Sequence, residues 1–308
     1  MNTETHTHTL KARRHIINLP SSGLMNVSLD YIALTSPGKT LLVMLTGFIG
    51  MWLASKGIPE FSITFWGLIG IGLASAGSLV FNNYYDRDID RLMKRTNGRA
   101  LPCGRIEPKS ALLFGLFLSV ASFITLSVFA NTLSAILAIL TIIFYAYFYT
   151  AVLKRHTPGA TELGGIPGAL PPVIGWAVIK GQIGFDPWLL FLIMLLWQPP
   201  HFWALAIRYR DDYQRAGIPT VPVVYSEHHT NLRSVCYVIL LTLVSLTPYY
   251  FGIAGRLYLI TASILGGFYL LLYCVHILSK HDLNRHLFVY SIVYLSALFI
   301  VMVVDLVK

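Results

Sequence analysis

The chain has 308 residues, 55% of them hydrophobic and only 12% charged, with a net charge of +9 and a mean hydropathy of +0.64. A soluble domain carries about 25% charged residues, so an ordinary soluble enzyme is excluded. The three scattered cysteines, Cys103, Cys236 and Cys274, form no CxxC pair and support neither a disulfide framework nor a thiolate metal site.

The first 35 residues lack a continuous apolar core, so no cleaved signal peptide is read there. With Lys11, Arg13 and Arg14 they are expected to form a disordered cytoplasmic arm (1–35) ahead of one transmembrane domain (36–308). Apolar runs near 20 residues predict an all-α polytopic membrane protein with nine spans: 37–55, 62–81, 110–130, 133–153, 163–180, 187–207, 232–252, 257–279 and 286–306. Of the 23 Lys and Arg residues, all but Lys56, Lys180, Arg256 and Lys308 fall on one side when the spans alternate. That bias puts the N-terminus in the cytoplasm and the C-terminus on the outer side, and it accounts for the basic charge without nucleic acid. The tail containing Glu4 is unlike a transit peptide, which favours a bacterial inner membrane.

The second span runs into Asn82-Asn83-Tyr84-Tyr85-Asp86-Arg87-Asp88-Ile89-Asp90. If the helix continues through Asp90, residues four apart drift only about 40° around its axis. Asn82, Asp86 and Asp90 then share a stripe, with Asn83 close to it. Such all-oxygen groups suit Mg²⁺, which keeps several waters and bridges to substrate phosphates. Asp88 points elsewhere and is expected to pair with Arg87 or Arg91. A solvated helix end with local ion pairs is the alternative, though carboxylates at a membrane boundary seldom lack a role.

Arg91, Lys94, Arg95, Arg99 and Arg105 follow. Each also serves positive-inside topology, but Arg95 and Arg99 sit in a turn, Arg95-Thr96-Asn97-Gly98-Arg99, able to fold over the acids. Guanidinium groups bind phosphate oxygens bidentately. After the fourth span, Lys154 is placed to touch phosphate. Tyr145, Tyr147 and Tyr149 could stabilise a carbocation, with an interfacial tyrosine belt the preferred reading for Tyr145.

The segment Gly164-Gly165-Ile166-Pro167-Gly168-Ala169-Leu170-Pro171-Pro172 predicts a broken helix lining a cavity. Span six ends Trp197-Gln198-Pro199-Pro200-His201-Phe202-Trp203, where adjacent prolines are expected to break the helix. His201 could then ligate a haem iron, bind a propionate, transfer a proton, or simply hydrogen-bond between helices. Arg208, Asp211 and Asp212 follow, the two acids being candidates for a second metal or for shaping the inner face.

These words resemble the intramembrane aromatic prenyltransferases of the UbiA-type superfamily, which carry Asp-rich motifs after the second and sixth helices. The likeness runs through Asn83–Asp90, Arg95-Thr96 to Arg99, Trp197 to Ala206, and Asp212-Tyr213 to Pro219, and covers nearly everything beyond the tail. Within the superfamily it is greatest to the haem-farnesylating branch. Three positions depart from the pattern: Asn83 stands for the usual Asp, Asp211-Asp212 for a spaced DxxxD, and Ala100 for a Pro.

The resemblance implies nine helices around a central cavity, Mg²⁺ as cofactor, and farnesyl diphosphate and haem b as substrates. It implies metal ligands among Asn82, Asn83, Asp86, Asp90, Asp211 and Asp212. Catalytic roles fall to Asp86, Asp90, Arg99 and Lys154, and substrate binding to Arg95, Arg99, Lys154, Trp197, His201 and Arg208. Haem A synthase or terminal oxidase assembly proteins are the partners it suggests. Competing readings are prenyl transfer to a quinone precursor, a transporter, or a haem-delivery factor without catalysis. A transporter's acids should lie near mid-membrane, whereas most of these lie at helix ends.

Overall fold

The computed structural model describes residues 24–279 and 282–307. Lys11, Arg13, Arg14 and Lys308 therefore lie outside the described residues. The expected arm does not run unbroken to residue 35, because Leu24–Leu34 forms a helix, α1.

Among the described residues nine spans follow, each long and apolar enough to cross a membrane. They are α2 (Pro37–Ser55), α3 (Phe61–Leu92), α4 (Pro108–Phe129), α5 (Thr132–His156), the pair α6 (Ala160–Ala169) and α7 (Pro171–Lys180), then α8 (Asp186–Arg208). Short α9 (Arg210–Arg215) and α10 (Val221–Val224) precede α11 (Glu227–Tyr250), α12 (Arg256–Ser279) and α13 (Asn284–Val304). Among the described residues no strand forms beyond an isolated Ala254–Leu306 bridge. Every backbone group in hydrocarbon must be paired within its own segment, which leaves helices as the solution for a chain of this pattern.

The helix carrying the first acidic motif is 32 residues long and reaches past Asp90. Its apolar part anchors it in the bundle, and the polar remainder continues as the same rod. The Gly- and Pro-rich span breaks at Leu170, between α6 and α7, as its composition predicts. The Pro199-Pro200 step does not break α8, which is a correction to the sequence reading. Two backbone N–H donors are lost there, which frees the carbonyls of Leu195 and Leu196 one turn earlier, a loss that membrane helices tolerate where neighbouring groups or local adjustment compensate; α8 runs on unbroken to Arg208.

Packing between spans uses small residues. A Cβ on Gly175 of α7 would stand 1.9 Å from the Gly47 carbonyl oxygen of α2, so these two backbones touch only because glycine is there. Leu41, Phe117, Ile124, Leu243 and Ile264 stay exposed on the bundle's outside, the surface that meets lipid. The basic loops, the C-terminal ends of α3, α5 and α8, and the short helices α9 and α10 gather at one end of the bundle, its basic end.

Candidate functional site

At the basic end the rod of α3 stands beside the last turns of α5. Asp86 is 1% exposed. Its Oδ2 accepts from Asn82 Nδ2 at 2.9 Å and from Lys154 Nζ at 2.5 Å. Its Oδ1 is buried with no hydrogen-bond partner. A buried acceptor left unpaired costs free energy, so this atom is a place where a further ligand offsets a deficit. Asn82 also donates to Thr150 Oγ1 at 3.2 Å, and Thr150 donates on to the Tyr145 carbonyl at 2.8 Å.

The residues around Thr150 (Phe144–Leu153) are wound as a π-helix inside α5. Such insertions occur often at functional sites, and this one carries Tyr145, Tyr149 and Thr150 to the rod. The two tyrosine rings lie 5.4 Å apart. Tyr145 is close enough to Asp86 and Arg99 for their charges to act on it. The tyrosine-belt reading therefore fits Tyr147, which is exposed, and not Tyr145. A Cβ on Gly164 would sit 2.1 Å from the Tyr149 ring, so the first glycine of the Gly-Gly pair lets α6 press against that tyrosine.

Asp90, 3% exposed, is covered by the turn that follows α3. Arg99 bonds its Oδ2 at 2.7 Å, and Thr96 Oγ1 donates to its carbonyl at 3.1 Å. The turn is pinned by Asp212 of α9, whose oxygens accept from the backbone N–H groups of Lys94 (3.3 Å) and Arg95 (3.4 Å) and from Arg215 (2.9 Å). Arg95 lies over the Tyr209 ring at 4.9 Å and reaches the Tyr213 hydroxyl.

The structure thus brings Asn82, Asp86, Asp90, Arg99 and Lys154 together and distributes the other expected site residues elsewhere. Asn83 donates to the Leu79 carbonyl at 2.8 Å and to the Leu34 carbonyl of α1 at 3.2 Å, so it anchors α1 to α3. Asp211 is exposed, and Asp212 is occupied by the turn it holds. Asp88 pairs with Arg155 of α5 at 2.7 Å, not with Arg87 or Arg91 of its own helix. Trp197 and His201 face α13: Trp197 Nε1 donates to the Ser291 carbonyl at 2.7 Å, and the His201 ring stacks between Trp197 and Phe288, with Nδ1 2.7 Å from Ser291 Oγ. Arg208 is exposed, lying 5.8 Å from the Tyr209 ring.

Among the described residues no three His, Cys, Asp or Glu side chains converge into a ready-made metal cage. Mg²⁺ does not need one, since it is commonly held by one or two carboxylates, waters and substrate phosphates. The orphaned Asp86 Oδ1 and the side-chain oxygen of neighbouring Asn82 supply the hard oxygen donors such an ion takes. Beside Tyr149, Lys154, Phe202 and Tyr213 lies a cavity of about 60 Å³, room for only a few waters. A larger one, about 150 Å³, lies at the opposite end among Lys56, Trp176 and Asp186. It has no part in the acidic cluster.

Residues 43–301 match the UbiA prenyltransferase family. A protein of Aquifex aeolicus called protoheme IX farnesyltransferase is 45% identical over 283 residues, covering 92% of this chain and 97% of its own. A digeranylgeranylglyceryl phosphate synthase has a similar structure, with a TM-score of 0.77 at 19% identity over 91% of this chain and 99% of its own. A UbiA homolog from Archaeoglobus fulgidus, bound to GPP and Mg²⁺, gives 0.63 at 19% identity, covering 89% and 99%. At such identities these two likenesses speak for the fold.

Proposed function

Since the chain belongs to the UbiA prenyltransferase family, we propose that it transfers the farnesyl group of farnesyl diphosphate to a vinyl group of haem b, releasing diphosphate. The observation that carries this reading is the buried Asp86, with one oxygen paired to Lys154 and the other unpaired, beside the Asp90–Arg99 pair. The name of the Aquifex relative, nearly half identical along almost its whole length, supports the choice of substrates.

Asn82, Asp86 and Asp90 would hold Mg²⁺, which would supply Lewis-acid stabilisation of the diphosphate leaving group. Lys154 and Arg99, which neutralise the two carboxylates in the structure, turn their donors to the diphosphate oxygens as the C1–O bond breaks and the electron pair leaves with pyrophosphate. Tyr145 and Tyr149 present ring faces to the allylic cation. The haem vinyl π electrons form the new bond to C1, and water captures the cation left on the other vinyl carbon, losing a proton. A hydroxyethylfarnesyl side chain results. Arg95, Trp197, His201 and Arg208 serve the substrates, the basic end facing diphosphate and propionates.

By the positive-inside bias the basic end faces the cytoplasm of a bacterial inner membrane, with haem A synthase or oxidase assembly proteins as candidate partners. The test is to incubate purified protein with haem b, farnesyl diphosphate and Mg²⁺ and weigh the porphyrin. The reading expects a gain of one farnesyl group plus one hydroxyl. A quinone-precursor enzyme leaves haem b unchanged.

A further inference from the structure

In the sequence Lys39 reads as a topological charge alone. In the structure it occupies the first turn of α2 at the basic end, exposed, and close enough to Arg95, Arg99, Lys154 and Asp90 for their charges to act on it. Among the described residues it has no carboxylate within ion-pair distance. Arg99 and Lys154 each have an acidic partner, as do Arg155 and Arg105 nearby. Apart from Asp90 the charges that reach it are like its own, and a phosphate anion bound among them is attracted by all of these cations.

The corner that presents Lys39 is tied down from several directions. Asn83 holds the Leu34 carbonyl at the end of α1. Asp30 of α1 makes two bonds to Arg105, at 2.8 and 2.9 Å. Thr40 lies 3.3 Å from Ser75 of α3, hydroxyl to hydroxyl. Leu34 packs with Val80, Ala100 and Leu101. Between the helices Ser36 adopts a left-handed conformation with φ 44°. A non-glycine residue keeps that backbone only where its surroundings over-determine it.

We infer that Lys39 is a further cation of the diphosphate site, contacting the substrate's phosphate oxygens from α2, and that Asn83 is the positioning residue that holds its corner over the acids. Three cations (Lys39, Arg99 and Lys154) then face two buried carboxylates, with Arg95 beside them over Tyr209, an excess of positive charge matched to a polyanion. Asn83 is thereby explained: in place of a third acid it supplies an amide whose N–H₂ group reaches two carbonyls, which a carboxylate cannot do.

This inference rests on the diphosphate reading but not on haem, so its probe is inorganic pyrophosphate with Mg²⁺. Lys39→Gln should weaken pyrophosphate inhibition and raise KM for farnesyl diphosphate about tenfold, the effect of one charge-assisted contact, with a smaller change in kcat. Lys39→Arg should restore most of both. Lys109→Gln, an exposed charge removed at the same end, should change neither. Haem b retention by the purified protein should stay at the wild-type level in all three. Unchanged pyrophosphate binding in Lys39→Gln overturns the inference while leaving haem farnesylation standing. A wild-type protein that binds pyrophosphate through Lys39 but leaves haem b unmodified overturns the haem reading instead. Should Lys39→Gln fail to accumulate, Lys39→Arg decides: inhibition weakened beyond tenfold by that change contradicts a simple phosphate contact.

Discussion

The loops after α3 and α8 look like two versions of one device: each follows a long helix with acids, arginines and tyrosines. The structure uses them differently. The first loop's Asp86 and Asp90 are buried and face Lys154 and Arg99, with one Asp86 oxygen uncommitted. Asp211 of the second loop is exposed, and Asp212 is committed to the backbone of the first loop's turn. In the proposed reaction one acidic loop therefore does the chemistry and the other supports it. Whether an acid is catalytic depends on what remains unpaired around it, not on its being one of a cluster.

Mutations separate the two loops by size of effect. Asp86→Asn keeps the shape but loses the charge that holds Lys154 and, in the proposed reaction, the metal. Turnover should fall by at least about 10²- to 10³-fold in protein that remains monodisperse in detergent, and normal turnover with Mg²⁺ would break the comparison outright. Arg99→Ala should raise KM for farnesyl diphosphate by roughly tenfold or more, with haem retention intact; a defect confined to haem binding contradicts a diphosphate contact. Asp212→Ala leaves two backbone N–H groups of the turn without acceptors. It should cost about 1–3 kcal/mol of stability, read as a lower thermal midpoint, while the Mg²⁺ dependence of the remaining activity is unchanged. Asp211→Ala, at an exposed site, should stay within about 0.5 kcal/mol of wild type and keep full turnover. A loss there would restore the second loop as a metal site.

Much of this was legible in the sequence because membrane spans are written in length and hydropathy. All nine spans are found, most to within a few residues, and the helical stripe of Asn82, Asp86 and Asp90 follows from the continuation of α3 past the apolar run. Contacts between distant segments were not legible. Local spacing offers Asp88 partners on its own helix, yet its actual partner, Arg155, lies 67 residues away on α5. Asn83 is only about 100° from Asn82, which suffices to aim it at α1 instead of the acids. The π-helix around Thr150 has no proline or glycine to announce it. Pro199-Pro200 announces a break that the intact α8 does not show. Lys39 looks like one more topological charge because its neighbours come from α3, α5 and the turn between α3 and α4.

The central claim is that the oxygen ligands for a metal-bound diphosphate come from the first acidic loop and not the second. Mn²⁺ can stand in for Mg²⁺ as an EPR-visible probe, titrated with inorganic pyrophosphate into purified wild type, Asp86→Asn and Asp211→Ala. Pyrophosphate-dependent Mn²⁺ binding should persist in wild type and Asp211→Ala and disappear in Asp86→Asn. Binding kept by Asp86→Asn and lost from Asp211→Ala would contradict the account.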